Sequence, residues 1–141
     1  QFAIWHINGM QRYRQSIRLG LSHYMGSVAR ARRWLHDSGT RLLGARSITH
    51  WPGANTWLQV FMHKPLVFLG LGLGENEVFL RWLLIERARY FHKFPDRYRP
   101  AWYVHTPSTL EPGRNLFLRG VGVDPHPVAG YEHMYADTAW A

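Results

Sequence analysis

Three alternate glycines follow a short apolar run in the middle of the chain. The run covers residues 66–69, and Gly70, Gly72 and Gly74 come directly after it. A long apolar-rich segment follows, so the order is typical of a buried strand, a glycine turn and a helix. Backbone N–H groups at such a turn can approach a phosphate closely, because the helix N-terminus favours negative charge. The segment is therefore a candidate phosphate-binding turn.

Glu75 and Asn76 follow the glycines at the predicted start of the helix. Their carboxylate and amide groups could bond the hydroxyls of a ribose whose phosphate lies on the turn. Purely structural roles stay open for the same residues. The glycines could serve only a tight turn that needs positive φ, and Asn76 could cap the helix while Glu75 complements its dipole. The spacing is not the G-x-G-x-x-G dinucleotide fingerprint.

A second candidate site lies near the N-terminus, where residues 2–7 are predicted to form a strand. His6 and Asn8 alternate at the end of this strand, and Asn8-Gly9 is a turn dipeptide. Ligands of open parallel sheets collect outside the carboxyl ends of the strands, so these polar side chains are placed for chemistry. The alternatives are a half-buried structural histidine and an ordinary Asn-Gly turn.

The elements that would position both sites follow from the hydrophobic pattern. An amphipathic helix is predicted from Ser22, a short helix or strand over residues 56–63, and a helix from Glu75 to about Phe94. The first helix has its apolar positions at Leu21, Tyr24, Met25, Val28, Ala31 and Leu35. The last helix is expected to be buried in its first half and to reach solvent at Glu86 and Arg87.

Further strands are predicted over residues 101–105 and 116–123. Strands that alternate with helices and are joined by short turns imply a parallel sheet with right-handed crossovers. The predicted fold class is therefore α/β.

The charge of the chain favours anionic ligands. Its 141 residues carry a net charge of +8, with 17 Lys and Arg against nine Asp and Glu. Such a balance suits nucleic acid, a dinucleotide or an acidic partner. The arginines form groups that are either solvated surface or an interface. These groups are Arg12, Arg14 and Arg18; Arg30, Arg32 and Arg33; Arg87 and Arg89; Arg97 and Arg99.

Composition also argues against several classes of protein and of site. The chain has no cysteine, which excludes a disulfide framework and Cys-ligated zinc. The histidines lack metal-ligand spacing, so no metal site is predicted, and no G-x-S-x-G nucleophile motif is present. No apolar stretch approaches the roughly 20 residues of a membrane span, and no signal-peptide pattern is present. We therefore expect a soluble cytoplasmic protein that has no contact with a membrane.

Several of these residues together resemble a known family. They are His6 to Gly9 at a strand end, Ser16-Ile17-Arg18-Leu19, Tyr24, the run from Leu66 to Gly72, and Glu75-Asn76. This order is similar to the C-terminal half of bacterial sirtuin-like domains. The resemblance implies a three-layer Rossmann-type parallel sheet that binds NAD⁺ and lacks the zinc module. It further implies hydrolysis of NAD⁺ to nicotinamide and ADP-ribose, as in bacterial antiphage defence proteins.

The resemblance also implies roles for the candidate residues. Gly70, Gly72 and neighbouring amides would hold phosphate or ribose, Glu75 and Asn76 would bond ribose hydroxyls, and residues 120–124 would border the adenosine end. Gly9 would also belong to the cofactor-binding residues. The family's catalytic histidine falls at Asn8, which cannot take a proton near neutral pH. The chain is then an inactive domain, an engineered trap, or a domain in which His6 substitutes with altered geometry. We expect this chain to be inactive, whereas the intact parent would be an NAD⁺ glycohydrolase.

By this resemblance residues 1–141 are the C-terminal portion of one domain, and the family's glycine-rich phosphate loop would lie before Gln1. We expect other domains or chains to complete the fold, and we expect a homo-oligomer. The competing hypothesis is a basic scaffold that binds nucleic acid or a partner through its arginine faces, without catalysis. A third possibility is a purely structural half-domain.

Overall fold

The computed structural model describes residues 12, 21–37, 39, 41–44, 47–130 and 132–133. The chain divides into two compact units, Gln1–Met62 and His63–Ala141. His6, Asn8 and Gly9 lie outside the described residues, as does the predicted strand over residues 2–7.

The regular elements in the described part of the first unit are helices. Helix α1 covers Leu21–Arg32 and continues into a π-helical segment over Arg33–Asp37. The helix predicted from Ser22 is therefore confirmed. Ala31 and Leu35 are buried as predicted, but Met25 is exposed, so the predicted apolar face is wrong at that position. A short 3₁₀ helix follows over Leu42–Gly44.

Residues 56–63, for which the sequence left helix and strand open, form helix α2 over Trp57–His63. The Thr56 hydroxyl accepts a hydrogen bond from the Leu58 N–H at 3.2 Å, as the side chain of an N-cap residue does. The indole N–H of Trp51 donates to Gln59 Oε1, and Gln59 Nε2 donates to the Ile48 carbonyl at 3.1 Å. These bonds fasten the preceding loop to α2.

The second unit contains a parallel sheet of three strands in the order β1-β2-β3. The strands are β1 over Leu66–Phe68, β2 over Ala101–His105 and β3 over Asp124–Pro127. Leu66 aligns with Ala101, and Trp102 aligns with Asp124. The predicted α/β class is confirmed.

Two helices connect these strands. Helix α3 covers Val78–Lys93 between β1 and β2, and α4 covers Pro112–Gly120 between β2 and β3. The guanidinium carbon of Arg81 on α3 lies 4.2 Å from the centre of the Phe117 ring on α4. Because the two helices touch, they lie on the same side of the sheet.

The prediction of a strand over residues 116–123 is wrong. This segment holds the end of α4 and a turn, and the strand begins only at Asp124. Val123 N–H donates to Leu118 O at 2.9 Å and Gly122 N–H to Arg119 O at 3.1 Å, while Gly122 has a φ of 73°. This is a Schellman helix end with glycine in the left-handed position. Leu118 is fully buried, whereas Leu116 is exposed, so the two leucines of the apolar run lie on different faces of the helix.

The long predicted helix is confirmed as α3, but two residues that we expected to be exposed on it are buried. Glu86 and Arg87 are each only 2% exposed, although we expected them to mark the emergence into solvent. Arg87 Nη2 donates to the carbonyls of Lys64 and Arg99, both at 2.9 Å, and Glu86 receives a hydrogen bond from Arg89 at 3.1 Å. Burial is tolerated because these charges are hydrogen-bonded.

Candidate functional site

The described candidate residues lie together in the segment between β1 and α3. Gly70 and Gly72 follow the carboxyl end of β1, and Glu75 and Asn76 precede the first turn of α3. The structure therefore places these four residues at the carboxyl edge of the parallel sheet, where ligands of open α/β sheets bind. The remaining three candidates, at positions 6, 8 and 9, lie outside the described part of the chain.

The glycine segment contains two left-handed residues. Gly70 has a φ of 62° and Leu73 a φ of 46°. A non-glycine residue in this region costs about 1–2 kcal/mol, and the complete burial of the Leu73 side chain offsets that cost. A Cβ atom on Gly72 would come no closer than 4.0 Å to Gly74 N, and one on Gly74 would meet nothing within 4 Å. A requirement for positive φ therefore accounts for Gly70 alone.

Two carbonyls of this segment face the protein. The Tyr103 hydroxyl donates to Gly72 O at 3.3 Å, and Arg81 Nη1 donates to Leu73 O at 3.4 Å. Among the described residues, the N–H groups from Gly70 to Asn76 donate to no protein atom. A run of backbone N–H groups without protein acceptors suits an anion such as a phosphate.

The start of α3 tests whether Asn76 caps the helix. The N-cap residue is Glu77, whose N–H donates to Gly74 O at 3.0 Å and whose side chain makes no cap bond. The hypothesis that Asn76 caps the helix is therefore wrong. Glu75 and Asn76 are both exposed on the turn before the helix, so their polar groups are accessible to solvent.

The end of β2 adds three residues that the sequence analysis did not single out. Tyr103 and His105 lie two residues apart, so both side chains are on one face of the strand, and their rings stack at 6.1 Å. His105 Nδ1 donates to the Thr106 carbonyl at 2.9 Å, which leaves Nε2 of a neutral ring as an acceptor. All three residues are buried. The signal in the sequence was the period-2 spacing of polar rings at a strand end.

Hydrogen bonds close the turn after β2. The Thr109 hydroxyl donates to Thr106 O at 2.9 Å, and the Thr106 hydroxyl donates to Thr109 Oγ1 at 3.2 Å. Arg114 Nη1 on α4 then donates to Thr109 O at 3.0 Å. These bonds hold the turn that follows β2, which lies at the same edge of the sheet as the glycine segment.

The arrangement combines three chemical functions at one edge. The segment from Gly70 to Gly74 offers donors to an anion, Glu75 and Asn76 offer groups for hydroxyls, and His105 offers a buried imidazole. The Tyr103–Gly72 hydrogen bond holds the glycine segment against the end of the neighbouring strand. Anion donors beside hydroxyl-binding groups are the set that a nucleotide requires.

Residues 120–124, the candidate border of the adenosine end, include the helix end around Gly122 and the first residue of β3. They precede β3 and so lie at the opposite edge of the sheet from the glycine segment. The structure therefore does not bring them together with Gly70 and Gly72.

No group of three or more His, Cys, Asp or Glu side chains is arranged to hold a metal ion in the described part of the chain. Nor does any helix within it combine the length and the apolar character of a membrane crossing.

Comparison of the chain with protein-family models, with curated proteins and with solved structures finds no match.

Proposed function

We propose that the carboxyl edge of this sheet binds NAD⁺ as part of a sirtuin-like, Rossmann-type domain with three layers. The observation that carries the proposal is the Tyr103–Gly72 hydrogen bond. It turns a carbonyl of the glycine segment toward β2, while the N–H groups of the same segment have no acceptor among the described residues. A loop that is held by such a bond and whose donors have no acceptor in the described part of the chain would lose less freedom when it binds a phosphate.

The residues fit a dinucleotide in a definite way. The N–H groups from Gly70 to Gly74 would hold a phosphate, because the N-terminus of the 16-residue helix α3 follows them. Glu75 and Asn76 would accept and donate hydrogen bonds at a ribose, whose hydroxyls do both. The net charge of +8 favours the approach of an anionic ligand.

The proposed reaction of the intact protein is hydrolysis of NAD⁺ to nicotinamide and ADP-ribose in antiphage defence. It would proceed through an oxocarbenium-like state that is aided by positioning of the ribose and by a base near it. Asn8 cannot be that base, because an amide takes no proton near neutral pH. We therefore expect the protein to bind NAD⁺ and to turn it over slowly or not at all.

The test compares the full-length protein with Asn8 as found and with Asn8→His. Calorimetry should detect NAD⁺ binding in both, and nicotinamide release should rise in Asn8→His because a general base contributes about 10²–10⁴-fold. The absence of NAD⁺ binding together with equal, negligible release would overturn the proposal.

A second variant tests the glycine segment itself. The added methyl of Gly72→Ala has room within the protein, since its nearest described neighbour is Gly74 N at 4.0 Å. It would, however, stand between the backbone and a closely bound phosphate. We expect NAD⁺ affinity to fall about tenfold while the free energy of unfolding changes by less than about 0.5 kcal/mol. Unchanged affinity would place the phosphate elsewhere.

A further inference from the structure

We propose that the amino edge of the sheet binds single-stranded nucleic acid. The surface in question is the amino-edge patch, defined by Lys64, Lys93, Arg97, Tyr98 and Arg99. The buried Arg87 bonds to the backbone of two of these residues. These residues precede β1 and β2 or belong to the second half of α3, so they lie at the end of the sheet opposite the glycine segment. The proposal is therefore independent of the nucleotide site.

Hydrogen bonds bring the separate parts of the patch together. Arg87 Nη2 donates to both Lys64 O and Arg99 O at 2.9 Å. The segments that precede β1 and β2 are therefore both bonded to this guanidinium. The Arg97 guanidinium lies 4.3 Å from the centre of the Phe94 ring, at the end of α3. The patch is thus one surface built on fixed elements.

The patch concentrates positive charge. Four cationic side chains, Lys64, Lys93, Arg97 and Arg99, reach its surface, and the stretch of residues 93–100 that supplies three of them has one acid, Asp96. Burial lowers the pKa of Arg87 to about 10; Tyr98 opposes this shift and the nearby charge of Arg99 adds to it. Two guanidinium groups therefore stand within each other's field, and an anionic partner would relieve that repulsion.

Part of this charge serves the helix itself. Lys93 lies in the last turn of α3, where a cation complements the helix dipole. Lys64 and Arg99 have no such role. They are exposed, precede strands and form no ion pair with a carboxylate among the described residues.

An exposed aromatic ring within the patch favours single-stranded nucleic acid over other anions. Tyr98 is 49% exposed and stands between Arg97 and Arg99 in the chain. Its ring packs against Phe91 at 5.4 Å in an edge arrangement, so it is held in place. A fixed ring flanked by cations can stack on an unpaired base while the cations contact phosphates. A duplex or an acidic protein surface presents no such base face.

The test measures binding of the full-length protein to a fluorescent oligothymidine over a range of salt concentrations. Lys64→Gln/Arg99→Gln should weaken binding at least tenfold, and the slope of log K against log salt should become shallower by about 1.4, since each phosphate contact in a single strand contributes about 0.7. Tyr98→Leu keeps apolar contact with Phe91 but removes the flat ring. It should weaken binding about tenfold with an unchanged slope.

The matched control is Arg30→Gln/Arg32→Gln, which removes the same charge from two exposed arginines of α1. Circular dichroism checks that every variant is folded. Near-wild-type binding by the control, and weaker binding of a duplex and of an abasic strand, would support the proposal. Equal losses in the control and patch variants, or equally tight binding of the abasic strand, would overturn it. Displacement of the oligonucleotide by NAD⁺ would also overturn it, because the two sites are proposed at opposite ends of the sheet.

Discussion

The hydroxyl of Tyr103 donates a hydrogen bond to the carbonyl oxygen of Gly72, with 3.3 Å between the two oxygens. Tyr103 lies near the end of β2, and Gly72 lies in the segment that leaves the end of β1. The bond therefore couples the conformation of a glycine segment to the strand beside it. A backbone carbonyl faces inward at this point, and the neighbouring N–H groups donate to no atom in the described part of the chain.

Tyr103→Phe should show how much the hydrogen bond to the glycine segment contributes, because the variant removes the hydroxyl and keeps the ring in the core. The ring still fills its buried site, but Gly72 O loses its donor, so we expect the free energy of unfolding to fall by about 1 kcal/mol. Affinity for ADP-ribose should fall several-fold, because more loop entropy is lost on binding. Urea unfolding and calorimetry measure the two effects.

The control for this variant is Tyr98→Phe, which removes the hydroxyl of an exposed tyrosine in the same unit. Its stability should change by less than about 0.5 kcal/mol, and its affinity for ADP-ribose should match that of the wild type. If both variants lose the same affinity, the Tyr103 hydroxyl has no special role at the site.

Gly70→Ala and Gly74→Ala should have opposite effects on stability. Gly70 has a φ of 62°, which costs a residue with a Cβ atom about 1–2 kcal/mol, so Gly70→Ala should be destabilising. Gly74 is outside the left-handed region, and its Cβ would meet nothing within 4 Å. Gly74→Ala should therefore be neutral or raise stability by up to about 1 kcal/mol, because the unfolded chain loses freedom.

Thermal and urea unfolding of both variants tests this pair. Equal destabilisation by both substitutions would show that the segment needs glycine for a reason other than backbone conformation, such as a contact outside the described residues.

The fold was predictable where the hydrophobic pattern agreed with the glycine and proline residues that end a segment. The apolar run before Gly70 and the long segment ended by Pro95 specify β1 and α3 from local sequence alone. The strand prediction for residues 116–123 was wrong because a short apolar run fits both the helical period and the strand period. The signals for helix α4 were Pro112 at its start and Gly122 just past its end. Proline suits the first turn of a helix, and glycine suits the left-handed residue that follows the last turn.

The candidate site was predictable only in part, because tertiary contacts define the rest. Gly70, Gly72, Glu75 and Asn76 stand close to one another in the sequence, so local order was enough to group them. Tyr103 donates to a residue 31 positions earlier, a contact that requires knowledge of which strands are neighbours. Arg87 was expected in solvent because a helix pattern does not show that two distant carbonyls meet its guanidinium.

The buried hydroxyl of Tyr90 should make stability depend on alkaline pH. Tyr90 is fully buried, and its hydroxyl bonds to Arg97 Nη1 and His63 Nε2, each at 3.0 Å. Burial raises the pKa of Tyr90 above its ordinary value of 10.0, although the hydrogen bond and charge of Arg97 oppose that rise. The unfolded chain then releases this proton at a lower pH than the folded chain does.

The sign of the effect follows from proton linkage. Above pH 10 the folded state holds more protons at Tyr90 than the unfolded state, so this stabilising contribution is complete below pH 10 and is lost as the pH rises through the folded pKa. Arg87 has the opposite effect on the pH dependence of stability. Its pKa is lowered in the folded state, so above about pH 10 the folded state holds fewer protons at this group than the unfolded state does. Comparison of the wild type with Tyr90→Phe cancels the Arg87 contribution, since both proteins carry it. Urea unfolding from neutral pH upward should show the stability advantage of the wild type shrinking above pH 10, and a constant difference would mean that Tyr90 titrates alike in both states.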